Sequence, residues 1–274
     1  MGQVPEKKGL VKRVTDFANR VSAGRRLSMV TCYDAASAKI LAASKVDAVL
    51  VGDSVAMVVH GHDSTLMATL DMMAAHTAAV RRGLGLEAFI VTDLPFPWHR
   101  KGMREALDAV DVLMKAGASA IKLEGASGHV ETVQHLVESG IPVMGHLGLI
   151  PQSVNQLGGY RVQGRGVDAA ERLLEEARML EAVGAFAIVL ECVPVEVASR
   201  LTKALSIPTI GIGSGAGCSG QVLVWQDLLG MQADFKPRFV RTFSDGFDDI
   251  RQALDGYADA VDNGTFPNMK ESFE

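Results

Sequence analysis

Ionisable side chains stand at the ends of short apolar segments along this chain. Asp53 follows the run "VLVG", Asp93 follows "AFIVT", and Glu191 follows "FAIVL". Similar runs end at other ionisable residues, which are Asp34, Lys122, Glu124 and His146. A buried carboxylate costs free energy unless a cation or hydrogen-bond donors meet it. The pattern therefore predicts one polar site assembled from several strand ends.

Asp53 and Asp93 are suited to binding a hard divalent cation. Mg²⁺ is commonly held by one or two carboxylates, while water and substrate oxygens complete its octahedron. Each of the two aspartates comes directly after an apolar run, and Glu124 ends the next run along the chain. The alternative is that each aspartate caps the turn after its strand, as this residue type readily does. The residues alone leave both interpretations open.

Three further side chains are suited to acting on a substrate. Glu191 lies in apolar surroundings before Cys192, which favours a general base near neutral pH, or it is a buried carboxylate paired with a cation. Lys122 shares a strand face with Glu124, so it either pairs with Glu124 or binds a substrate carboxylate. His146 lies between glycines in "GHLG", which lets a ligand approach, or it has a purely structural role.

These residues must be positioned by alternating strands and helices. Short links such as "KAGAS" and "ESGIP" separate helical patterns from the apolar runs. Asp168, Glu171 and Gly184 predict the start and the end of one helix. The predicted helices cover residues 11–20, 36–45, 69–82, 104–116, 129–139, 168–183, 195–205 and 247–262.

Strands that alternate with helices through short links predict parallel βαβ units. The seven apolar runs and an eighth strand at 220–225 predict a (β/α)8 barrel, an α/β fold, with an extra N-terminal helix and one domain over residues 1–274. Residues 213–221 leave no room for a seventh crossover helix. A doubly wound sheet is the alternative, and it would bind ligands at a switch point rather than inside a ring.

The stretch "GAGCSG" at 215–220 matches the dinucleotide-binding glycine pattern, but a strand follows it where that pattern requires a helix. We interpret it as a tight barrel loop. The three cysteines, at positions 32, 192 and 218, have neither zinc spacing nor a disulfide framework. We expect reduced thiols that are mostly core residues.

Composition excludes several classes of protein. The net charge of the 274 residues is −5, and no basic cluster indicates a nucleic-acid partner. No segment approaches the roughly 18 apolar residues of a membrane span. The N-terminal residues resemble neither a signal peptide nor a transit peptide. We therefore expect a cytoplasmic protein that binds neither nucleic acid nor membrane.

Longer motifs extend from about residue 10 to the C-terminus. They are "TCYD", "VGDS", "GHDST", "HTAAVRRG", "DLPF", "KLEG", "GHLGLIPQSVN", "GGYRVQGRG", "LECVP", "IGIGSG" and "GQVLV". With these motifs the sequence resembles the ketopantoate hydroxymethyltransferase family of pantothenate biosynthesis. The resemblance implies a TIM barrel of the phosphoenolpyruvate/pyruvate superfamily type that assembles as a homodecamer.

The resemblance also implies the reaction and its cofactors. Family members transfer a one-carbon unit from 5,10-methylenetetrahydrofolate to 3-methyl-2-oxobutanoate, giving 2-dehydropantoate and tetrahydrofolate. The partners implied are thus a small 2-oxo acid and a folate, and the metal is Mg²⁺. By match to the family motifs, Asp53 and Asp93 hold this ion, and Glu124 supports it directly or through water.

The same match implies which residues meet the substrate. Ser54 and Lys122 correspond to residues that bind the keto acid, together with the two metal-holding aspartates. His146 corresponds to a histidine that faces the hydroxymethyl group, and Glu191 corresponds to the catalytic base.

The chain departs from the family pattern in three places. Ser219 stands before "GQVLV" where aspartate is frequent, and the tail at 270–273 reads "KESF" rather than Glu-His-Ser-Phe. Pro97, Trp98 and His99 follow "DLPF" in place of other residues. None of these positions belongs to the implied metal, substrate or base set.

Two other functions are compatible with such a barrel. One is a carbon–carbon lyase of the same superfamily acting on another 2-oxo acid, but such enzymes usually carry a catalytic cysteine on a loop for which this sequence has no motif. The other is a metabolite-binding barrel without catalysis. Exchange of the C3 hydrogen of the keto acid into D₂O separates an enzyme from a binding protein.

Overall fold

The computed structural model describes residues 9–233 and 237–273. The chain divides into two compact units, Met1–Val224 and Trp225–Glu274. The first unit contains a closed barrel of eight parallel strands, in the order β1 to β8. The predicted barrel is therefore confirmed, whereas one domain over residues 1–274 stays a prediction.

The strands coincide with the apolar runs of the sequence. They are β1 (Leu27–Thr31), β2 (Ala48–Val51), β3 (Ile90–Asp93), β4 (Ala120–Glu124), β5 (Val143–Gly148), β6 (Ala187–Glu191), β7 (Thr209–Ile212) and β8 (Gly220–Leu223). The register joins β1 to β8 with Leu27 opposite Gly220, which closes the ring. A doubly wound sheet would leave two open edges, so that alternative is wrong.

Helices surround the barrel between the strands. In the first unit they are α1 (Thr15–Ser22), α2 (Ala35–Ala43), α3 (Val55–Val58), α4 (Leu70–Leu84), α5 (Met103–Ala116), α6 (Val130–Glu138), α7 (Val154–Leu157), α8 (Val167–Ala182) and α9 (Val195–Ala204). The described residues 213–219, between β7 and β8, form turns without a helix, as predicted. The "GAGCSG" stretch lies there and leads into β8, so it is a barrel loop.

The predicted capping of α8 is wrong. Gly166 is the N-cap residue and Asp168 is the second residue of the helix, without a side-chain hydrogen bond to the cap. The helix starts earlier than predicted because Gly166 adopts a φ of 83° that a side-chain-bearing residue rarely takes. Asp168 still favours the helix, since its charge lies in the positively polarised first turn.

Apolar side chains from alternate strand positions fill the barrel interior. The buried strand residues of this core are Leu27, Met29, Ala48, Leu50, Val91, Ala120, Met144, Ala187, Val189, Ile210 and Val222. Phe17 of α1 contacts Phe89 and Phe186 edge to face, with ring centroids 5.7 and 5.1 Å apart. Because Phe89 and Phe186 directly precede β3 and β6, this aromatic cluster closes the amino end of the barrel.

The second unit carries α10 (Trp225–Leu228) and α11 (Gly246–Asp262). The closing helix predicted at 247–262 is therefore present. Among the described residues of the whole chain, no helix combines the length and the apolar character that spanning a bilayer requires.

Candidate active site

The predicted functional residues lie one layer above the apolar core. Side chains at positions i and i+2 of a strand point to the same side. Three interior residues each precede a polar residue by two positions, and the pairs are Ala120 and Lys122, Met144 and His146, and Val189 and Glu191. The polar side chains therefore point into the barrel at its carboxyl end, the face where enzymes of this fold carry out chemistry.

Strand register brings these residues together across the sheet. Asp93 of β3 is opposite Lys122 of β4, and Glu124 of β4 is opposite His146 of β5. All four side chains are buried, with 2 to 5% of each residue exposed. The structure thus assembles a compact group of charged residues away from water.

Asp34 is an exception, and its predicted place in this group is wrong. Its carboxylate is the N-cap of α2 and accepts hydrogen bonds from the backbone N–H groups of Ala36 and Ser37 at 2.8 Å. Ser37 Oγ also donates to it at 2.7 Å. The residue is exposed because the chain turns into α2 directly after it, so capping occupies this carboxylate.

One oxygen of each of three buried carboxylates accepts a hydrogen bond from a neutral donor. Asp93 Oδ2 accepts from the backbone N–H of Asp53 at 3.0 Å. Gln152 donates through Nε2 to Asp53 Oδ2 at 2.8 Å and through its backbone N–H to Glu124 Oε2 at 2.9 Å. In the described part of the chain, Asp93 Oδ1 and Glu124 Oε1 are buried without a hydrogen bond. These two oxygens face the side chains of Lys122 and His146, at 3.0 and 3.3 Å.

Lys122 is the buried ammonium of this group. Its Nζ lies 3.0 Å from Asp93 Oδ1 and 3.1 Å from His146 Nδ1. Burial opposes its charge, but the carboxylates of Asp93, Glu124 and Asp53 raise the pKa of Lys122 above its ordinary value. The side chain is thus cationic, and its ion pair is with Asp93 rather than with its strand neighbour Glu124.

His146 lies between two carboxylates. Its Nδ1 is 3.3 Å from Glu124 Oε1, and its Nε2 is 3.2 Å from Glu191 Oε2. Burial and the Lys122 ammonium oppose a second cation here, but the contacts with Glu124 and Glu191 outweigh them and raise the pKa of His146 to about 9. The imidazole is therefore positively charged at neutral pH and connects Glu124 with Glu191.

The balance of charge fits a divalent cation. Burial raises the pKa of Asp53 well above its ordinary value, and the carboxylates of Asp93 and Glu124 add to this effect. Over residues 9–233 and 237–273, no set of three or more His, Cys, Asp or Glu side chains is placed to bind one metal ion. A cation bound by Asp53 and Asp93 would complete its coordination shell with water or substrate oxygens, as Mg²⁺ commonly does in proteins.

Ser54 is held by a residue that sequence reasoning missed. The hydroxyl groups of Ser54 and Tyr33 are 2.8 Å apart. Burial raises the pKa of Tyr33, so its phenol stays protonated and is able to donate to Ser54. Tyr33 lies within the "TCYD" motif. It is 21 positions from Ser54 in the chain, and no sequence pattern predicts that the two residues are in contact.

Backbone hydrogen bonds hold the chain at Glu191 and Cys192 in place. Cys192 adopts a φ of 49°, a left-handed conformation unusual for a residue with a side chain. Its N–H donates to the Ile212 carbonyl at 2.8 Å, and the Glu191 carbonyl accepts from the Leu149 N–H at 2.8 Å. Burial and the Glu191 charge raise the pKa of Cys192 to about 11, so this cysteine remains a thiol.

Two buried histidines lie near this group without complete hydrogen bonding. The rings of His99 and His129 are in edge contact, with centroids 4.7 Å apart. Both nitrogens of His99 and Nδ1 of His129 have no partner among the described residues. Burial lowers the pKa of His99 to about 3, helped by the charges of His129 and Arg100, and burial lowers that of His129 to about 4. Both rings are neutral in the folded protein at neutral pH.

This pair predicts acid lability. Unfolded histidines titrate near pH 6.5. Below that pH the two histidines bind protons in the unfolded chain but remain neutral in the folded protein, which favours unfolding. Stability is expected to fall as the pH drops from about 6.5 towards 4, by up to about 1.4 kcal/mol per pH unit for each histidine. Urea unfolding of wild type and of His99→Phe, measured between pH 7 and 5, should show the shallower pH slope in the variant.

The matched control is His135→Gln, because His135 is an exposed residue of α6. Its pH slope should equal that of the wild type. Parallel slopes for wild type and His99→Phe would contradict the prediction.

Comparison with known proteins decides the family. A sequence profile described as ketopantoate hydroxymethyltransferase matches residues 12–269. A relative from Bdellovibrio bacteriovorus, named 3-methyl-2-oxobutanoate hydroxymethyltransferase, is 54% identical over 263 residues, which cover 96% of this chain and 100% of the relative. The chain belongs to the ketopantoate hydroxymethyltransferase family. A Legionella pneumophila relative of the same name is 51% identical over 262 residues, covering 95% of this chain and all of its own length.

Membership of the ketopantoate hydroxymethyltransferase family makes this chain an enzyme, a transferase built on a TIM barrel. Solved structures of distant enzymes show the same architecture, and one of them is a member of the phosphoenolpyruvate mutase/isocitrate lyase superfamily. A 2,3-dimethylmalate lyase matches with a TM-score of 0.59 and 15% identity, covering 96% of this chain and 92% of its own. A phosphonopyruvate hydrolase complex with oxalate and Mg²⁺ matches with a TM-score of 0.59 and 11% identity, covering 95% and 93%. At these identities the likeness shows the fold alone.

Proposed function

We propose that the enzyme transfers a hydroxymethyl group from 5,10-methylenetetrahydrofolate to 3-methyl-2-oxobutanoate, releasing 2-dehydropantoate and tetrahydrofolate. The observation that carries the proposal is the buried contact of Glu191, His146 and Lys122 beside the carboxylates of Asp53 and Asp93. The group combines a carboxylate base, a cation for a substrate carboxylate and a site for a divalent metal. The substrate class comes from the names of the relatives.

The metal residues would be Asp53 and Asp93, with Glu124 in support through water. When bound, Mg²⁺ supplies positive charge beside the ketone oxygen of the substrate, which favours enolisation. The fit rests on the two neighbouring buried carboxylates of Asp53 and Asp93 and on the mutual repulsion of the carboxylates, which helps to raise the pKa of Asp53.

Glu191 acts as the base in this proposal. Its side chain is 18% exposed, whereas that of His146 is 3% exposed, so Glu191 faces the more open part of the site. His146 Nε2 lies 3.2 Å from Glu191 Oε2 and helps to orient the Glu191 carboxylate. Glu191 removes the proton from C3 of the keto acid, and the electron pair of the broken C–H bond becomes available for carbon–carbon bond formation.

Lys122 and Ser54 hold the keto acid for this step. The Lys122 ammonium pairs with the substrate carboxylate, and the Ser54 hydroxyl, held by Tyr33, donates to a second substrate oxygen. C3 then bonds to the methylene carbon, both bonds from that carbon to the folate nitrogens break, and one water supplies the hydroxyl oxygen. The proton from C3 and the remaining proton of the water end on the two nitrogens of tetrahydrofolate. His146 faces the new hydroxymethyl group.

The direct test is formation of 2-dehydropantoate by the purified protein from both substrates and Mg²⁺. We expect product with Mg²⁺ and none after exhaustive chelation, with recovery when the ion is added back. The C3 hydrogen of the keto acid should also exchange into D₂O in the presence of Mg²⁺. Binding of the keto acid without exchange or product would support a metabolite-binding barrel instead.

Lys122→Met is expected to raise the KM for the keto acid by roughly 10- to 100-fold, since a hydrogen bond to a charged group contributes about 1.5–3 kcal/mol. The effect should fall mainly on KM because the ammonium binds the substrate carboxylate before and during reaction. Steady-state kinetics with the keto acid as varied substrate measures it. The control is Lys115→Met, which removes an exposed lysine 2.7 Å from Asp111.

An unchanged KM for Lys122→Met, with only a lowered melting temperature, would contradict the substrate role. It would mean that Lys122 serves only to neutralise Asp93.

The proposal includes a homodecameric assembly and a cytoplasmic location, without nucleic-acid or membrane partners. These expectations rest on the family resemblance and on the composition of the chain. Sedimentation or light scattering of the purified protein tests the assembly.

A further inference from the structure

Gln152 connects three elements at the mouth of the barrel. It lies in a short 3-10 helix, Pro151–Ser153, after β5. Its side-chain Nε2 donates to Asp53 Oδ2 at 2.8 Å and to the Leu94 carbonyl at 3.1 Å, while its backbone N–H donates to Glu124 Oε2 at 2.9 Å. The residue is buried, with 4% of its surface exposed.

The orientation of the Gln152 amide is set by its partners. Asp53 Oδ2 and the Leu94 carbonyl both accept hydrogen bonds, so the NH₂ end must face them. Oε1 is then buried without a partner in the part of the chain that the structure describes. A buried amide oxygen without a hydrogen bond costs stability, so packing alone does not explain a glutamine here. The hydrogen bonds of its NH₂ group indicate a role in holding Asp53.

Gln152 occupies one oxygen of Asp53 and one oxygen of Glu124. The anchored oxygen Oδ2 sets the orientation of the Asp53 carboxylate and directs its other oxygen away from the amide. The Asp53 N–H anchors Asp93 Oδ2 in a similar way, and Asp93 Oδ1 faces Lys122 Nζ. Without the Gln152 amide, the Asp53 carboxylate loses this side-chain hydrogen bond and gains freedom to rotate.

We infer that Gln152 is a positioning residue for the metal centre, which fixes the Asp53 carboxylate in the orientation that binds the ion. The inference rests on the proposed function, because it takes Asp53 and Asp93 as the metal ligands. Gln152 does not ligate the ion itself. It acts through Asp53, as outer-shell hydrogen-bond partners of metal ligands do.

The experiment measures Mn²⁺ binding to the purified, metal-free enzyme by electron paramagnetic resonance, without substrate. Gln152→Met keeps the side-chain length and removes the donor, so the dissociation constant should rise roughly 10- to 100-fold, the usual effect of losing such a partner. Gln152→Asn keeps an amide but is one methylene shorter, so it should lose affinity similarly. Keto-acid binding measured at saturating Mn²⁺ should recover towards the wild-type value in both variants.

The control is Gln134→Met. Gln134 is an exposed residue of α6 whose Nε2 donates to Glu138 Oε1 at 2.8 Å, so the variant loses a comparable hydrogen bond far from the site's carboxylates. Circular dichroism and the melting temperature of the metal-free proteins confirm folding. If Gln152→Met does not fold, Gln152→Asn, which keeps a polar amide, decides the question.

The outcomes separate the two proposals. Mn²⁺ binding by wild type that weakens in both Gln152 variants but not in Gln134→Met supports the inference. Folded Gln152 variants with wild-type affinity overturn it, even where their melting temperatures are lowered. A wild-type protein that binds no Mn²⁺ refutes the metal part of the proposed function instead.

Discussion

Glu191→Gln is expected to lower kcat by roughly 10²- to 10⁴-fold, the usual contribution of a positioned general base. The change keeps the shape of the side chain and removes its basicity, so the fold and metal binding should survive. Exchange of the C3 hydrogen of 3-methyl-2-oxobutanoate into D₂O should fall by a similar factor, because the proton leaves before the one-carbon unit arrives. Proton NMR of the keto acid in D₂O measures this step alone.

The control for this prediction is Glu196→Gln, which alters an exposed carboxylate in the first turn of α9. It should exchange the C3 hydrogen at the wild-type rate. Wild-type exchange by Glu191→Gln itself would rule out the base assignment. A water molecule in the site would then be the next candidate, because the His146 imidazole is already protonated at neutral pH.

Asp53→Ala and Asp93→Ala are each expected to abolish most metal-dependent binding of the keto acid. The double variant should be little worse than either single one, because both changes disable the same site and their effects cannot add. The two residues are already coupled in the structure, since the Asp53 N–H donates to Asp93 Oδ2 at 3.0 Å. Calorimetric titration of the keto acid with and without Mg²⁺ provides the measurement.

Asp34→Ala is the matched control, because this aspartate also follows a strand but caps α2. It should cost about 0.5–2 kcal/mol of stability, as loss of a helix cap does, and leave metal-dependent binding unchanged. Full activity after exhaustive chelation, or additive losses in the double variant, would contradict the shared metal site.

Comparison of Asp34 with Asp93 shows where sequence reasoning reached its limit. Both follow an apolar run, yet one caps a helix in solvent and the other is buried beside Lys122. Asp93 is still paired in the sheet, opposite Lys122, whereas Asp34 lies beyond Thr31, the last residue of β1. The position of a residue relative to the end of its strand depends on pairing with neighbouring strands, which a single run of residues does not reveal.

The sequence by itself determined the order of the strands and of the longer helices, and the absence of a helix between β7 and β8, but not the short helices α3, α7 and α10. It also indicated that the ionisable residues at the strand ends lie together, which holds for all of them except Asp34. These follow from local rules, because apolar runs become buried strands and side chains alternate along them. Its long motifs also indicated the family to which the chain belongs.

Only the tertiary structure decided how these residues are connected. Gln152 reaches an aspartate 99 positions earlier in the chain, and His146 lies between the carboxylates of Glu124 and Glu191. The loops after the strands are irregular, so the direction of their side chains is set by contacts with distant segments rather than by a repeating pattern. Closure of the barrel determines those contacts, because it fixes which strand ends face one another across the site.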